Sequence, residues 1–342
     1  MHCRERIRKA RDESGSNNEC PRKLCVGVGG SESRNEERCF SFGSVSHEEV
    51  MRIRPLSRLF PNALALALRS GRLEKAGIMV YLRGAGSARR YTDKREDERV
   101  LMVKIRESLF FIQGQDEMIP DSHVYLLGKR ESGDLSLVDA GLVGKGARKI
   151  ESLAEAGVKP TDIKRVIMTH THLDHIGCLR EIMSEIPGVE LWVHSAEAEP
   201  LERGDDRTVY GMEMFKQMCQ AQYRLKAGAF TFKVDRRLED GDELRIGGES
   251  WKVLHIPGHS AGGVALYDED AGILIPGDVI YADHAIGRFD LHGADSSQLS
   301  SSLARLAGLK VKTLLPGHNR VLQNVPDGYV AHTAKQWAPY LS

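Results

Sequence analysis

Residues 170–175 read His170-Thr171-His172-Leu173-Asp174-His175, which places three imidazoles and one carboxylate within six positions. Packing is a poor explanation for such density, because a buried polar group costs free energy unless something replaces its hydration. In an extended segment alternate side chains point the same way. His170 and His172 are therefore expected to grip one ion together, while a turn of the chain lets Asp174 and His175 face a second. Imidazole nitrogen and carboxylate oxygen suit zinc and, less specifically, iron or manganese.

Two or three protein donors hold zinc loosely and four fill its tetrahedral shell, so further ligands are required. The sequence offers them in matching places. Residues 164–168 read as an apolar strand running into Thr169-His170. Residues 251–256, 273–275 and 311–315 repeat the pattern and end at Pro257-Gly258-His259, Pro276-Gly277-Asp278 and Pro316-Gly317-His318. A Pro-Gly pair halts a strand and exposes the next side chain at the sheet's edge, so His259, Asp278 and His318 are expected to converge on one rim. A carboxylate such as Asp278 can bridge two cations and offset their mutual repulsion.

Taken together, H-x-H-x-D-H, P-G-H-S, G-D and P-G-H resemble the metallo-β-lactamase superfamily over the stretch from about Met102 to the C-terminus. The resemblance implies an α/β fold, a four-layer αβ/βα sandwich with a dinuclear site along one edge of two facing sheets. By position it implies His170, His172 and His259 around a first metal, and Asp174, His175 and His318 around a second, with Asp278 bridging. Asp139, in Leu137-Val138-Asp139-Ala140-Gly141, stands where such proteins keep an aspartate that buttresses the ligands. His172 replaces the Glu of diiron flavoprotein oxidoreductases, and Asp278 stands where some antibiotic-degrading members have Cys. Only a short tail follows His318, which argues against the helical glutathione-binding domain of glyoxalase II enzymes.

The wider sequence suits this picture. Strands are expected at residues 103–112, 122–128, 135–139 and 190–193, alternating with helices as in layered α/β architecture. Asp295 reads as an N-cap with Gln298 three residues later, ahead of Leu299, Leu303 and Leu306 on one helical face. Residues 208–225, with Met212, Phe215, Met218 and Cys219, read as one amphipathic helix packed on the core. Residues 1–101 are rich in Arg, Glu, Ser and Gly and show no sustained periodicity beyond a short helix around 56–73. They are expected to form a largely unstructured extension, or to precede a natural start near Met102, leaving 102–342 as the hydrolase domain.

Charge and cysteine content exclude other classes. Lys plus Arg and Asp plus Glu number 48 each, so no global field draws the chain to nucleic acid or anionic lipid. The apolar run 63–68 falls far short of the roughly 20 residues that span a bilayer. Residues 1–20 lack the apolar core of a secretory signal, and Cys3, Cys20, Cys25, Cys39, Cys178 and Cys219 form no C-x-x-C pair. A cytoplasmic enzyme acting on a small molecule is expected, without a disulfide framework or a membrane partner.

Two divalent cations, zinc in the first instance, would lower the pKa of a shared water from about 16 toward 7 and so generate hydroxide at neutral pH. Attack on an ester, thioester or lactone carbonyl is the expected reaction, with Asp174 orienting the water or relaying a proton. The same metals suit a phosphodiesterase or nuclease, and a single iron would suit a sulfur dioxygenase. His194 is expected to be structural, ahead of an N-cap at Ser195. Lys145, Tyr210, Tyr223, His284 and Arg288 are cleft candidates whose simpler reading is solvation or packing, and His123, His292 and His332 read as isolated non-ligands.

Overall fold

A computed structural model of the protein describes residues 23–27, 37–41, 102–115 and 120–341. The chain divides into two units, Met1–Lys94 and Arg95–Ser342. In the first, β1 (Lys23–Gly27) pairs antiparallel with β2 (Glu37–Ser41), with Lys23 opposite Ser41. Strands this short produce no sustained periodicity, which is why the sequence shows none there. The short helix expected around 56–73, and the rest of the expected extension, lie outside the described residues.

In the second unit, a seven-stranded sheet runs in chain order through β3 (Met102–Arg106), β4 (Leu109–Ile112), β5 (Val124–Leu127), β6 (Leu135–Val138), β7 (Ile163–Ile167), β8 (Glu190–His194) and β9 (Arg236–Leu238). Its first four strands are antiparallel meanders, and its last four pair in parallel. A six-stranded sheet follows: β10 (Glu243–Ile246), β11 (Glu249–His255), β12 (Val264–Asp268), β13 (Ile273–Ile275), β14 (Thr313–Leu314) and β15 (Leu322–Gln323). Only β13 and β14 pair in parallel there, across the crossover that contains α7 (Ser296–Ala307).

Period-two alternation builds the four layers. In β4 and β5, Leu109, Phe111, Tyr125 and Leu127 face the middle of the sandwich and meet Trp251, Val253, Val264, Leu266, Ile273 and Ile275 of the second sheet. The alternate residues Phe110, Ile112, Val124 and Leu126 face outward. There they pack with α1 (Gly146–Glu155), α2 (Leu173–Ile176), α3 (Leu179–Glu185) and α4 (Ser195–Arg203) through Leu153, Leu173, Ile182 and Leu201. On the far side Leu254, Ala265, Tyr267 and Leu274 meet Leu299, Leu303 and Leu306 of α7 and Val330 of α8 (Tyr329–Trp337). Asp295 caps α7 by accepting from Gln298 N, as its sequence signature predicts.

Two elements differ from the sequence reading. The strand expected at 103–112 is a hairpin that turns at Glu107-Ser108, with Arg106 opposite Leu109. The turn contains neither Gly nor Pro, and Ser108 is held by Glu249 from the other sheet, a contact no local pattern reports. The helix expected at 208–225 is two, α5 (Arg207–Tyr210) and α6 (Glu213–Tyr223), broken at Gly211. Gly211 takes φ +71°, and a Cβ there would lie 3.1 Å from Leu291, so a remote side chain occupies the space a continuous helix would need. Met214 and Met218 of α6 are consequently exposed.

Candidate metal centre

Each loop that carries a candidate ligand side chain leaves a strand and is stopped by local chemistry. His170 follows β7, and His172 sits at the N-cap of α2 with extended backbone (φ −62°, ψ 152°). One helical turn then carries Asp174 and His175 to the other side. Gly258 and Gly277, ahead of His259 and Asp278, take positive φ of +126° and +52°, a conformation that favours glycine. Gly317 is required for space instead: a Cβ there would lie 2.2 Å from Asp278 Oδ1 and 2.7 Å from His175 Cε1. Backbone bonds lace the loops together, Gly317 N to Gly277 O at 2.9 Å and Val264 N to Thr169 O at 2.9 Å.

The seven residues singled out from sequence all meet. Ligand-type atoms of His170, His172 and His259 form one group and those of Asp174, His175, Asp278 and His318 another, each with its atoms within 4.8 Å of one another. Asp278 sits between them: its Oδ1 is 3.2 Å from His175 Nε2 and its Oδ2 is 3.7 Å from His259 Nε2 and 3.5 Å from His318 Nε2. His172 Nδ1 is 3.0 Å from His259 Nε2, and His318 Nε2 is 3.0 Å from Asp174 Oδ2. Asp174, with its side chain 20% exposed, is the most open of the seven.

The remote nitrogens of three rings are tied down. His175 Nδ1 donates to Asp139 Oδ2 at 2.8 Å, and His259 Nδ1 donates to the Arg288 carbonyl at 2.7 Å. Thr169 Oγ1 donates to Asp139 Oδ2 at 2.8 Å and so accepts from His170 Nδ1 at 3.1 Å. A neutral imidazole with its proton on one nitrogen has a lone pair on the other. In each of these rings, when neutral and so tied at Nδ1, the lone pair belongs to Nε2, on the side facing the shared space.

Electrostatics separate the two groups. Burial and the neighbouring rings push His170 well below the usual imidazole range, and burial with His259 brings His172 to about 3. Burial alone would lower His175 and His318, but the carboxylates beside them outweigh it and raise both. Burial would raise Asp174, yet the His318 hydrogen bond brings it to about 2. Asp278 is likewise held well below the carboxylate range by His175 and His318 despite its burial.

This donor set fits a pair of divalent cations. His170 Nε2 and His172 Nε2 are buried without a hydrogen-bond partner, and buried polar atoms are rarely left so; His175 Nε2 and Asp278 Oδ1 face each other at 3.2 Å. Five imidazoles and two carboxylates crowded into one space would be poorly satisfied as packing, whereas nitrogen and oxygen donors in groups of three and four match the ligand number of zinc-like ions.

Several participants escaped the sequence reading. Thr169 and the Arg288 carbonyl carry no motif signal. Tyr281 is buried, and burial with the Asp278 carboxylate beside it pushes its hydroxyl well above the usual phenol range. His194 itself caps α4, accepting from Ala196 N at 3.3 Å, so Ser195 is the first helical residue rather than the cap. Among the cleft candidates, Tyr210 is buried in the outer core and His284 stacks on Tyr329 and bonds Thr333. Lys145 reaches Gln115, Tyr223 packs against the outer core, and the exposed Arg288 guanidinium pairs with Asp290.

Comparison with known proteins agrees with this geometry. A family model described as the metallo-beta-lactamase superfamily matches residues 120–318. The chain is 34% identical over 178 residues to the probable metallo-hydrolase YqgX of Bacillus subtilis, covering 51% of this chain and 76% of that protein. It is 33% identical over 161 residues to the human acyl-coenzyme A thioesterase MBLAC2, covering 44% of this chain and 54% of that one. The crystal structure of the metallo-beta-lactamase family protein TTHA1429 from Thermus thermophilus superposes with a TM-score of 0.53 at 23% identity, covering 69% of this chain and 80% of that chain, a likeness of fold. With the match spanning every loop that supplies a ligand-type side chain, the chain belongs to the metallo-beta-lactamase superfamily.

Proposed function

We propose that the protein is a metallo-hydrolase that cleaves an ester, thioester or lactone bond of a small molecule, with two divalent cations, zinc in the first instance, held by the seven converging residues. His170, His172 and His259 would hold one, Asp174, His175 and His318 the other, and Asp278 would bridge. The observation that carries this reading is the buried, partnerless Nε2 of His170, whose Nδ1 is fixed by Thr169 on the far side of the ring, with His175 held in the same orientation by Asp139 and His259 by the Arg288 carbonyl. Bound cations of this kind polarise a carbonyl and make water nucleophilic near neutral pH.

The chain's own residues supply the remainder. Asp139 and the Arg288 carbonyl orient the rings, and such outer partners raise ligand basicity as well as fixing its direction. Asp174 bonds His318 through Oδ2 and is the most open of the seven, which suits it to orient a water or pass a proton to the leaving group. The carbonyl bond class draws support from the relative named an acyl-coenzyme A thioesterase.

The test is a screen of the purified protein, supplied with zinc, manganese or iron, against thioesters, lactones, aryl esters and phosphodiesters. Carbonyl hydrolysis with two metal equivalents bound is the expected result. Hydrolysis confined to phosphodiesters, or one iron with oxygen uptake, would replace it. His259→Ala and Asp278→Ala should lose metal and turnover together, and undiminished hydrolysis by a metal-free variant would sink the mechanism.

A further inference from the structure

Glu197 is a buried carboxylate, 2% exposed, in the first turn of α4, and none of the chemistry above uses it. Its two oxygens go to two different ligand loops. Oε2 accepts from Thr171 N at 2.8 Å, and Oε1 accepts from Gly262 N at 3.0 Å. Thr171 lies between His170 and His172; Gly262 lies three residues after His259. The first loop leaves the seven-stranded sheet and the second joins two strands of the six-stranded sheet, so one side chain brackets the two halves of the sandwich.

The contact is built closely. A Cβ on Gly262 would lie 2.7 Å from Glu197 Cγ and 3.1 Å from its Cδ, so the glycine leaves room for the carboxylate to lie flat against the loop. Hydrogen bonds from backbone N–H to a carboxylate are about twice as strong as neutral ones. The loops they join carry the three imidazoles of one group, whereas Asp174, His175, Asp278 and His318 have no bond to Glu197 among the described residues.

We infer that Glu197 is a positioning residue for the three-histidine group, setting the spacing of His170 and His172 against His259 and thereby the affinity for one cation of the pair. This rests on the two-cation reading of the site. Glu197→Gln keeps the shape but presents an NH2 where one backbone N–H needs an acceptor, so two donors face each other and one loop is released.

Titration of the metal-free full-length chain with Co(II), followed by its absorption spectrum, tests the assignment. Wild type should take up two equivalents. Glu197→Gln should bind one at wild-type affinity and the other about 10- to 100-fold more weakly, the scale typical of lost outer-shell partners. His318→Ala removes a donor of the other group, so the spectra of the equivalents that survive in the two variants should differ and together account for that of wild type. Two equivalents at wild-type affinity in Glu197→Gln would overturn the inference. So would equal weakening of both, or loss of the same equivalent that His318→Ala loses. Failure of wild type to bind two equivalents would sink the two-cation reading and this assignment with it, an outcome visible before any variant is compared. If Glu197→Gln does not fold, Gly262→Ala, which presses on Glu197 Cγ while keeping both bonding partners, should show the same selective loss, and wild-type binding by that variant would overturn the inference.

Discussion

His175 donates its Nδ1 proton to Oδ2 of Asp139, 36 residues earlier in the chain, across 2.8 Å. Asp139 also accepts from Thr169 N at 2.7 Å and from Thr169 Oγ1, through which it reaches His170. One buried carboxylate at the end of β6 therefore directs rings that belong to both groups of the centre. It does so from a left-handed backbone conformation, φ +62°, which Asp and Asn tolerate better than other side chains.

Asp139→Asn keeps that backbone and that shape but loses one acceptor. The folded protein should survive while metal affinity falls about 10- to 100-fold. Equilibrium dialysis against buffered zinc measures this directly, and wild-type affinity in the variant would show that the carboxylate does not tune the rings.

Gly317→Ala should separate folding from metal binding. The added methyl would meet Asp278 Oδ1 at 2.2 Å and His175 at 2.7 Å, so it acts on the centre rather than on the apolar core. A displacement of about 1 Å at a reacting geometry can cost on the order of 10²-fold in turnover. Circular dichroism should match wild type while turnover drops by that order; unchanged turnover would mean that the loop has slack the contacts do not suggest.

Lys149 and Asp121 form an ion pair at 2.6 Å with both side chains essentially buried, and Asp121 also accepts from Leu142 N. Removing one partner strands the other in the interior. Lys149→Met should therefore destabilise the fold by about 3–5 kcal/mol. Urea unfolding of the metal-free chain is the measurement, and a loss below about 1 kcal/mol would indicate that water reaches the orphaned carboxylate.

His123 accepts from Gly114 N at Nδ1 and donates from Nε2 to the Asn319 carbonyl, next to His318. Burial lowers its pKa from 6.5 to about 4. Below pH 6.5 the unfolded chain takes up a proton that the folded chain refuses, so stability falls as pH drops from there and levels off near 4. The full effect is about 3 kcal/mol. In urea titrations of the metal-free protein, His123→Gln should lose less stability than wild type between pH 7 and pH 4.5. Parallel losses would assign the acid sensitivity to other groups.

Much of the centre was legible because its signals are local. The spacing within 170–175, the three Pro-Gly pairs and the apolar runs before them identify donor type, strand-end placement and sheet rim without any knowledge of distant contacts. The four-layer sandwich followed from the resemblance those motifs carry, and the cap at Asp295 from a four-residue pattern. Chain breaks set by remote side chains were not legible: Ser108 turns against Glu249, and Gly211 kinks under Leu291.

Sequence by itself therefore determined which ligand-type atoms the centre assembles and in what order along the chain, since side-chain chemistry and strand periodicity are properties of short segments. Only the tertiary structure decided which nitrogen of each tethered ring is held by a partner and how the two loops are spaced. Asp139, Thr169, the Arg288 carbonyl and Glu197 make those choices across the fold, and a hydrogen bond between residues far apart in sequence exists only once the sheets have closed on each other.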